Sequence, residues 1–306
     1  MKSSQSRFCS NCIIGFIVIC FCPIFIGIIC SLLFDVNEGE NKIDFQSMSQ
    51  EIENSLQYQL IGQHLVIDAI KGDFKLSLIN SSVKSAILLL VGPSGSGKSF
   101  TRKILEGAFH EHGFKIVQRF NDPSPVNLGL CESSPFLEEN SNILFVFEDA
   151  DRELLEVMDV AYRVTASTLV SKCNKVIIII VTSVYGDETK RFMSERCLFG
   201  EQRLRIDSGN LLSHLSLTVN ELALTDRQEK NSKIIPLLYL PLDKEHLRIC
   251  IQRQLSKRNI VKEEWEHITR KVLAQMDFYP DCEMMFSESG CKLVSSRIDY
   301  VLGNDN

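Results

Sequence analysis

Short apolar runs alternating with stretches of helical periodicity predict an α/β fold, a parallel sheet covered by helices on both faces. A glycine-rich loop interrupts the pattern after its first strand-like run, and after Asp243 only helical periodicity remains. These observations give a P-loop α/β large domain over 49–241 and a small α-helical C-terminal domain over 242–306, with the boundary near Pro241.

The elements follow in order. Ile52–Ile70 has helical spacing. Ala86–Val91 has the length and composition of a buried strand. Phe100, Ile104, Leu105 and Phe109 mark one face of the next helix. Phe114–Val117, Ile143–Phe147, Val176–Val181 and Leu237–Leu240 are further strands, and Arg152–Ser171 has helical character. Beyond Asp243 the spacing predicts helices only, over Lys244–Lys257, Glu263–Met276 and Gly290–Val301.

The N-terminus stands apart. Phe8–Phe34 contains no charged residue, which is long enough to span a bilayer at about 20 residues and longer than the usual signal-peptide core. Lys2 and Arg7 precede it, and Asp35, Glu38 and Glu40 follow. Residues 1–34 therefore read as an uncleaved signal anchor in preference to a cleaved signal peptide, with the chain beyond them on the far side of the membrane. Residues 35–48 read as a linker. In that oxidising setting some of the six cysteines beyond the span are able to pair, but spacing does not assign the pairs. Asn80-Ser81-Ser82 is a glycosylation sequon, relevant only in the secretory pathway. A formal net charge of −6 argues against a phosphate-backbone binder, so no nucleic-acid partner is expected.

Gly92-Pro93-Ser94-Gly95-Ser96-Gly97-Lys98-Ser99 matches the full G-x-x-x-x-G-K-[ST] pattern between an expected strand and an expected helix. The glycines let successive backbone N–H groups turn toward phosphates, and the helix adds its positive N-terminal end. Lys98 supplies a compact cation for the β- and γ-phosphates, and Ser99 a hydroxyl for a metal. The ligand expected is ATP with Mg²⁺. After the strand Ile143–Phe147 comes Glu148-Asp149-Ala150-Asp151. In the simplest register Glu148 is the metal carboxylate and Asp149 the base that polarises water; a one-residue shift makes Asp149 the metal carboxylate. Asp is shorter than the Glu usual at the base position, so slow hydrolysis is expected. Asp151 reads as a solvated helix start. Ser183, at the end of Val176–Val181, reads as a residue that positions the attacking water or as an ordinary strand-end polar residue.

Further segments resemble the torsins, a family of luminal AAA+ ATPases of the endoplasmic reticulum and nuclear envelope. They are Leu60-Ile-Gly62-Gln63-His64, Tyr239-Leu-Pro-Leu-Asp243, His246-Leu-Arg-Ile-Cys250, Phe278-Tyr-Pro280, Phe286–Lys292 with its Gly-Cys-Lys, and Ile298-Asp-Tyr300. The resemblance implies an AAA+ fold and places Gly62 and Gln63 near the adenine. It makes Lys292 a cation that reaches the γ-phosphate from the small domain. Cys250 and Cys291 match the family's redox-sensitive disulfide pair. Where torsins usually carry Asn after the P-loop lysine, Asp-Glu, and a strand-end Asn, this chain has Ser99, Glu148-Asp149 and Ser183. Torsins lack an arginine finger and take one from a membrane-anchored luminal activator. Arg203 and Arg205 are the in-chain candidates, with surface residues as the default reading.

The reading is an ATPase with slow or activator-dependent hydrolysis, acting on protein partners and forming a homo- or hetero-oligomer. The runner-up is a nucleotide-gated protein-binding module that hardly hydrolyses. A metabolite kinase is opposed by the helical C-terminal domain and Lys292.

Overall fold

The computed structural model describes residues 43–120, 140–152, 154–167, 170, 172–215, 232–279 and 286–304, without the side chains of 117–120, 232 and 304. The apolar stretch Phe8–Phe34, most of the expected linker, Asn121–Pro125 with Cys131, and Pro280 lie outside these residues. Among the described residues no helix is long and apolar enough to cross a membrane.

Five parallel strands form the central sheet: β1 Ser85–Val91, β2 Lys115–Phe120, β3 Asn142–Phe147, β4 Lys175–Thr182 and β5 Ser232–Leu238, in the order β2-β3-β4-β1-β5. β1, β3 and β4 are buried along their whole length, which explains their continuous apolar runs. Pro236 sits inside β5, tolerated because β5 is an edge strand.

Helix α1 (Phe45–Gln59) is N-capped by Asp44, whose carboxylate accepts from the amides of Gln46 and Ser47. The cap places helix in the last residues of the expected linker. The helix expected over Ile52–Ile70 is broken at 60–63, where Gly62 takes φ +65°, and resumes as α2 (His64–Ala69), a π-helical turn (Ile70–Phe74) and α3 (Lys75–Ile79). A Cβ at Gly62 would also collide with the His246 ring, so the break is fixed by contact as well as conformation.

α4 (Lys98–Glu111) packs on α1 and β4. α5 (Leu154–Ala166) and α6 (Gly186–Glu195) carry Val157, Met158, Ala161 and Phe192 into one cluster with Ile87, Leu89, Phe145, Ile178 and Ile180. The alternate strand residues Leu88, Leu90, Leu144, Ile177 and Ile179 are buried too, so both faces of the sheet are covered. A 3-10 helix (Gly200–Arg205) and α7 (Ser208–His214) follow α6.

After β5 the chain turns through 239–243 into α8 (Lys244–Lys257), α9 (Lys262–Leu273), a second 3-10 helix (Gly290–Leu293) and α10 (Val294–Asn304). Leu247, Ile251, Leu255, Ile268, Val272, Val294 and Ile298 form their own core. The periodicity predicts helices only here, but the region also contains a short β-pair. β6 (Phe278–Tyr279) pairs antiparallel with β7 (Phe286–Ser287); two-residue strands are too short to show alternation in sequence.

At the far end of β4, buried Lys175 donates to the carbonyls of Ser77 (2.9 Å), Asn80 (3.1 Å) and Val83 (2.6 Å). It satisfies main-chain acceptors at the end of α3. Lys175→Met is expected to lower stability by about 1–3 kcal/mol, read as a lower urea midpoint with an unchanged slope; an unchanged midpoint would contradict this role.

Candidate nucleotide site

The loop Gly92–Ser99 joins β1 to α4, and Gly97 is the left-handed N-cap of that helix. A cavity of about 770 Å³ opens over it. From the large domain it is lined by Ser94–Ser99, Asp149, Asp151, Thr182 and Ser183. From the helical region it is lined by Leu242, Cys250, Arg253, Gln254, Lys257, Lys292 and Val294. Lys98 is buried, and its Nζ donates to the carbonyls of Gly92 (2.6 Å) and Pro93 (2.8 Å). Burial lowers its pKa to about 8, against the upward pull of Asp151 and Asp149 and with a further push down from Lys292. The lysine expected from the loop and the lysine expected from the C-terminal region thus face one cavity. Ser96 Oγ donates to the Pro93 carbonyl at 2.7 Å and so serves the loop's own shape.

The helical region touches the loop directly. The Cys291 amide donates to the Gly95 carbonyl at 3.2 Å. Backbone meets backbone here, since a Cβ on Gly95 would overlap the Ser289 carbonyl and one on Gly290 would overlap that of Gly95. Cys291 is disulfide-bonded to Cys250 of α8, with Cα atoms 6.1 Å apart.

Residues 242–301 match the family model described as "Torsin-1A, C-terminal domain". Torsin-3A of Rattus norvegicus is 23% identical over 278 residues, covering 82% of this chain and 69% of that one. Torsin-3A of Homo sapiens is 26% identical over 277 residues, covering 82% and 68%. The chain is thus similar to torsins over most of its length, and its C-terminal region matches the torsin C-terminal domain model. Among solved structures, the S. cerevisiae Hsp104-ADP complex superposes with a TM-score of 0.51 at 15% identity over 88% of this chain. That likeness is one of fold, the AAA+ architecture, and the chain spans about half (48%) of the Hsp104 chain's length.

The two residues of the acidic pair lie in different surroundings. Glu148 does not line the cavity: its Oε1 is ion-paired at 3.0 Å to Arg102 of α4, which also binds Glu106. Asp149, at φ +53°, and Asp151 line the cavity instead. Of the two residues that the two registers assign to the metal, Asp149 lines the cavity and Glu148 is engaged by Arg102. Asp151 is no mere helix start. Its Oδ1 accepts from Thr182 Oγ1 at 2.9 Å and from the Ser183 amide, bracing the end of β4. Sequence reasoning missed it; the signal was a carboxylate just past β3 facing the adjacent Thr182-Ser183 strand end. Ser183 lines the cavity.

Gly62 and Gln63 do not line the cavity; Leu60 and Ile61, just before them, do. Gln63 is buried and spent on backbone, its Nε2 donating to Ser96 O and Leu240 O and its Oε1 accepting from Leu240 N, each at 2.9 Å. Arg253 of α8, unremarked in sequence, donates to the carbonyls of Tyr58 and Gln59 at the cavity mouth. Arg203 is not a surface residue: it is 1% exposed and donates to the Pro241 and Gly62 carbonyls. Arg205 is exposed on the same 3-10 helix and does not line the cavity. Asn80 is exposed, its Oδ1 accepting from the Ser82 amide (3.0 Å) and hydroxyl (2.5 Å).

If Asp151 braces β4, Asp151→Ala should speed amide hydrogen exchange at Ser183 about tenfold, for a loss near 1.4 kcal/mol, while amides of β1 keep their protection. Equal exchange at Ser183 would refute the bracing.

Proposed function

We propose that the chain binds ATP with Mg²⁺ in the P-loop cavity and hydrolyses it slowly, in dependence on an arginine from a partner. The observation carrying this reading is convergence on one cavity: the P-loop with Lys98, the carboxylates Asp149 and Asp151, the strand end Thr182-Ser183, and Lys292 from the helical region. Backbone N–H groups at the start of α4 and two lysines suit a polyphosphate. The Ser99 hydroxyl and the Asp149 carboxylate are the hard oxygen donors that Mg²⁺ favours, and both line the cavity. Mg²⁺ would neutralise phosphate charge when bound. Asp151, through Thr182 and the Ser183 amide, holds the strand end at which a water would be oriented. Lys98 Nζ, held against the Gly92 and Pro93 carbonyls, lies within the loop whose backbone would cradle the phosphates.

The second reading, a nucleotide-gated binding module with little turnover, is favoured by the Arg102–Glu148 ion pair, which occupies one of the two candidate catalytic carboxylates. Two expectations are carried by the resemblance alone: the arginine comes from a membrane-anchored luminal activator, and the chain works on protein partners in the endoplasmic reticulum or nuclear envelope, anchored by its N-terminal stretch and assembled as a homo- or hetero-oligomer.

Binding of mant-ATP to the wild-type chain should be strongest below pH 8 and weaken above it. Phosphate favours charged Lys98, whose pKa without nucleotide is about 8, so above that pH binding must take up a proton. Lys98→Ala should weaken binding about 10–100-fold, and Asp149→Asn should retain binding while abolishing phosphate release. Binding indifferent to Lys98→Ala would sink the assignment; phosphate release unaffected by Asp149→Asn would remove that residue from the chemistry.

The compartment is tested separately by protease protection in sealed microsomes. Protection of the P-loop domain until detergent is added is expected; digestion of intact vesicles would place it on the cytosolic side.

A further inference from the structure

Arg203 has no role in the site as described, yet it is among the largest fully buried side chains. Burying a guanidinium is costly, and an apolar side chain of similar volume would often give equal stability. The position therefore calls for something a hydrophobe cannot supply. Its partners are specific. One terminal nitrogen donates to Pro241 O and the other to Gly62 O, while Asp243 is the carboxylate whose charge supports it. Burial lowers its pKa to about 10, which leaves it charged at neutral pH. A planar fork with donors at fixed spacing sets the separation of two carbonyls in a way that a point-like ammonium does not.

Those carbonyls belong to residues adjacent in sequence to walls of the nucleotide cavity. Gly62 follows Leu60-Ile61, and Pro241 precedes Leu242; Leu60, Ile61 and Leu242 all line it. The Pro241–Asp243 turn is also where the chain passes from β5 into α8, the helix that carries Cys250 and, through the disulfide, Cys291 beside Lys292. Asp243 caps α8 through the His246 amide (3.0 Å) and contacts the His246 ring (2.6 Å), and that ring packs on Gly62. Arg203 thus ties together the two segments that carry those walls; it lines a neighbouring cavity with Leu60, Gly62, Asp243 and His246 and not the nucleotide cavity itself.

We propose that Arg203 is a positioning residue for nucleotide binding, a clamp that sets the spacing of the Leu60-Ile61 and Leu242 walls and the orientation of the helical region over the P-loop. The inference rests on the nucleotide reading above. Its test uses Trp265, the chain's single tryptophan, which lies on α9 and packs on the helical core. Energy transfer from Trp265 to bound mant-ATP reports the placement of that region relative to the nucleotide.

In Arg203→Lys, which keeps the charge and loses the fork, the mant-ATP Kd should rise about tenfold and transfer at saturation should fall. Lys175→Met is the control: it removes another buried cation, far from the joint, and should keep wild-type Kd and transfer despite its lower stability. Wild-type values in Arg203→Lys would overturn the proposal, and so would an equal loss of affinity in Lys175→Met. Should Arg203→Lys fail to fold, Gly62→Ala presses a Cβ into His246 at the same joint and should weaken affinity and lower transfer in the same direction; wild-type behaviour there would count against the clamp. Absence of mant-ATP binding to the wild-type chain would instead overturn the nucleotide reading, and the clamp with it.

Discussion

The buried amide of Gln63 joins three stretches that are remote in sequence. It reaches the P-loop at Ser96 and the end of the sheet at Leu240, while standing itself in the segment that leads into α2. Both donors and acceptor of a neutral side chain are engaged through known partners, so the amide is satisfied where an unmet polar group would be costly. The cavity depends on this arrangement. With Ser96 held from one side and Leu240 from the other, Leu60-Ile61 and Leu242 have defined places as walls.

Charge is distributed around the cavity with equal economy. Lys98 and Lys292 repel one another, and Asp149 and Asp151 offset them. Glu148 belongs to a different network, the largely buried Arg102–Glu106 pair on α4. The reversed acidic pair therefore acquires a physical meaning. The longer carboxylate turns toward the P-loop helix, and the shorter one, on a left-handed backbone, faces the ligand space.

Elements that obey local rules were legible from the residues. β1, β3 and β4 are runs of apolar residues of strand length, and the P-loop carries its own geometry in its glycines. Lys292 and the Cys250–Cys291 pair were legible only through family resemblance, because a lysine beside a cysteine has no spacing signature of its own. What stayed hidden were polar side chains whose partners are main-chain atoms elsewhere. Gln63 and Arg203 read as ligand contact and surface cation because nothing local names the carbonyls of Leu240, Gly62 or Pro241 as their acceptors. Asp151 and the Arg102–Glu148 pair were missed for the same reason: each partner comes from another element. The short β6–β7 pair escaped because two residues define no period.

The Cys250–Cys291 bond also acts on the chain before it folds. It joins residues separated by 41 positions and so removes conformational freedom from the unfolded ensemble, worth about 4 kcal/mol on the chain-entropy estimate. That is a substantial part of the roughly 5–15 kcal/mol by which domains are usually stable. The surroundings that oxidise this pair therefore help decide how much of the helical end is folded at all, and with it how long Lys292 is present to face the P-loop.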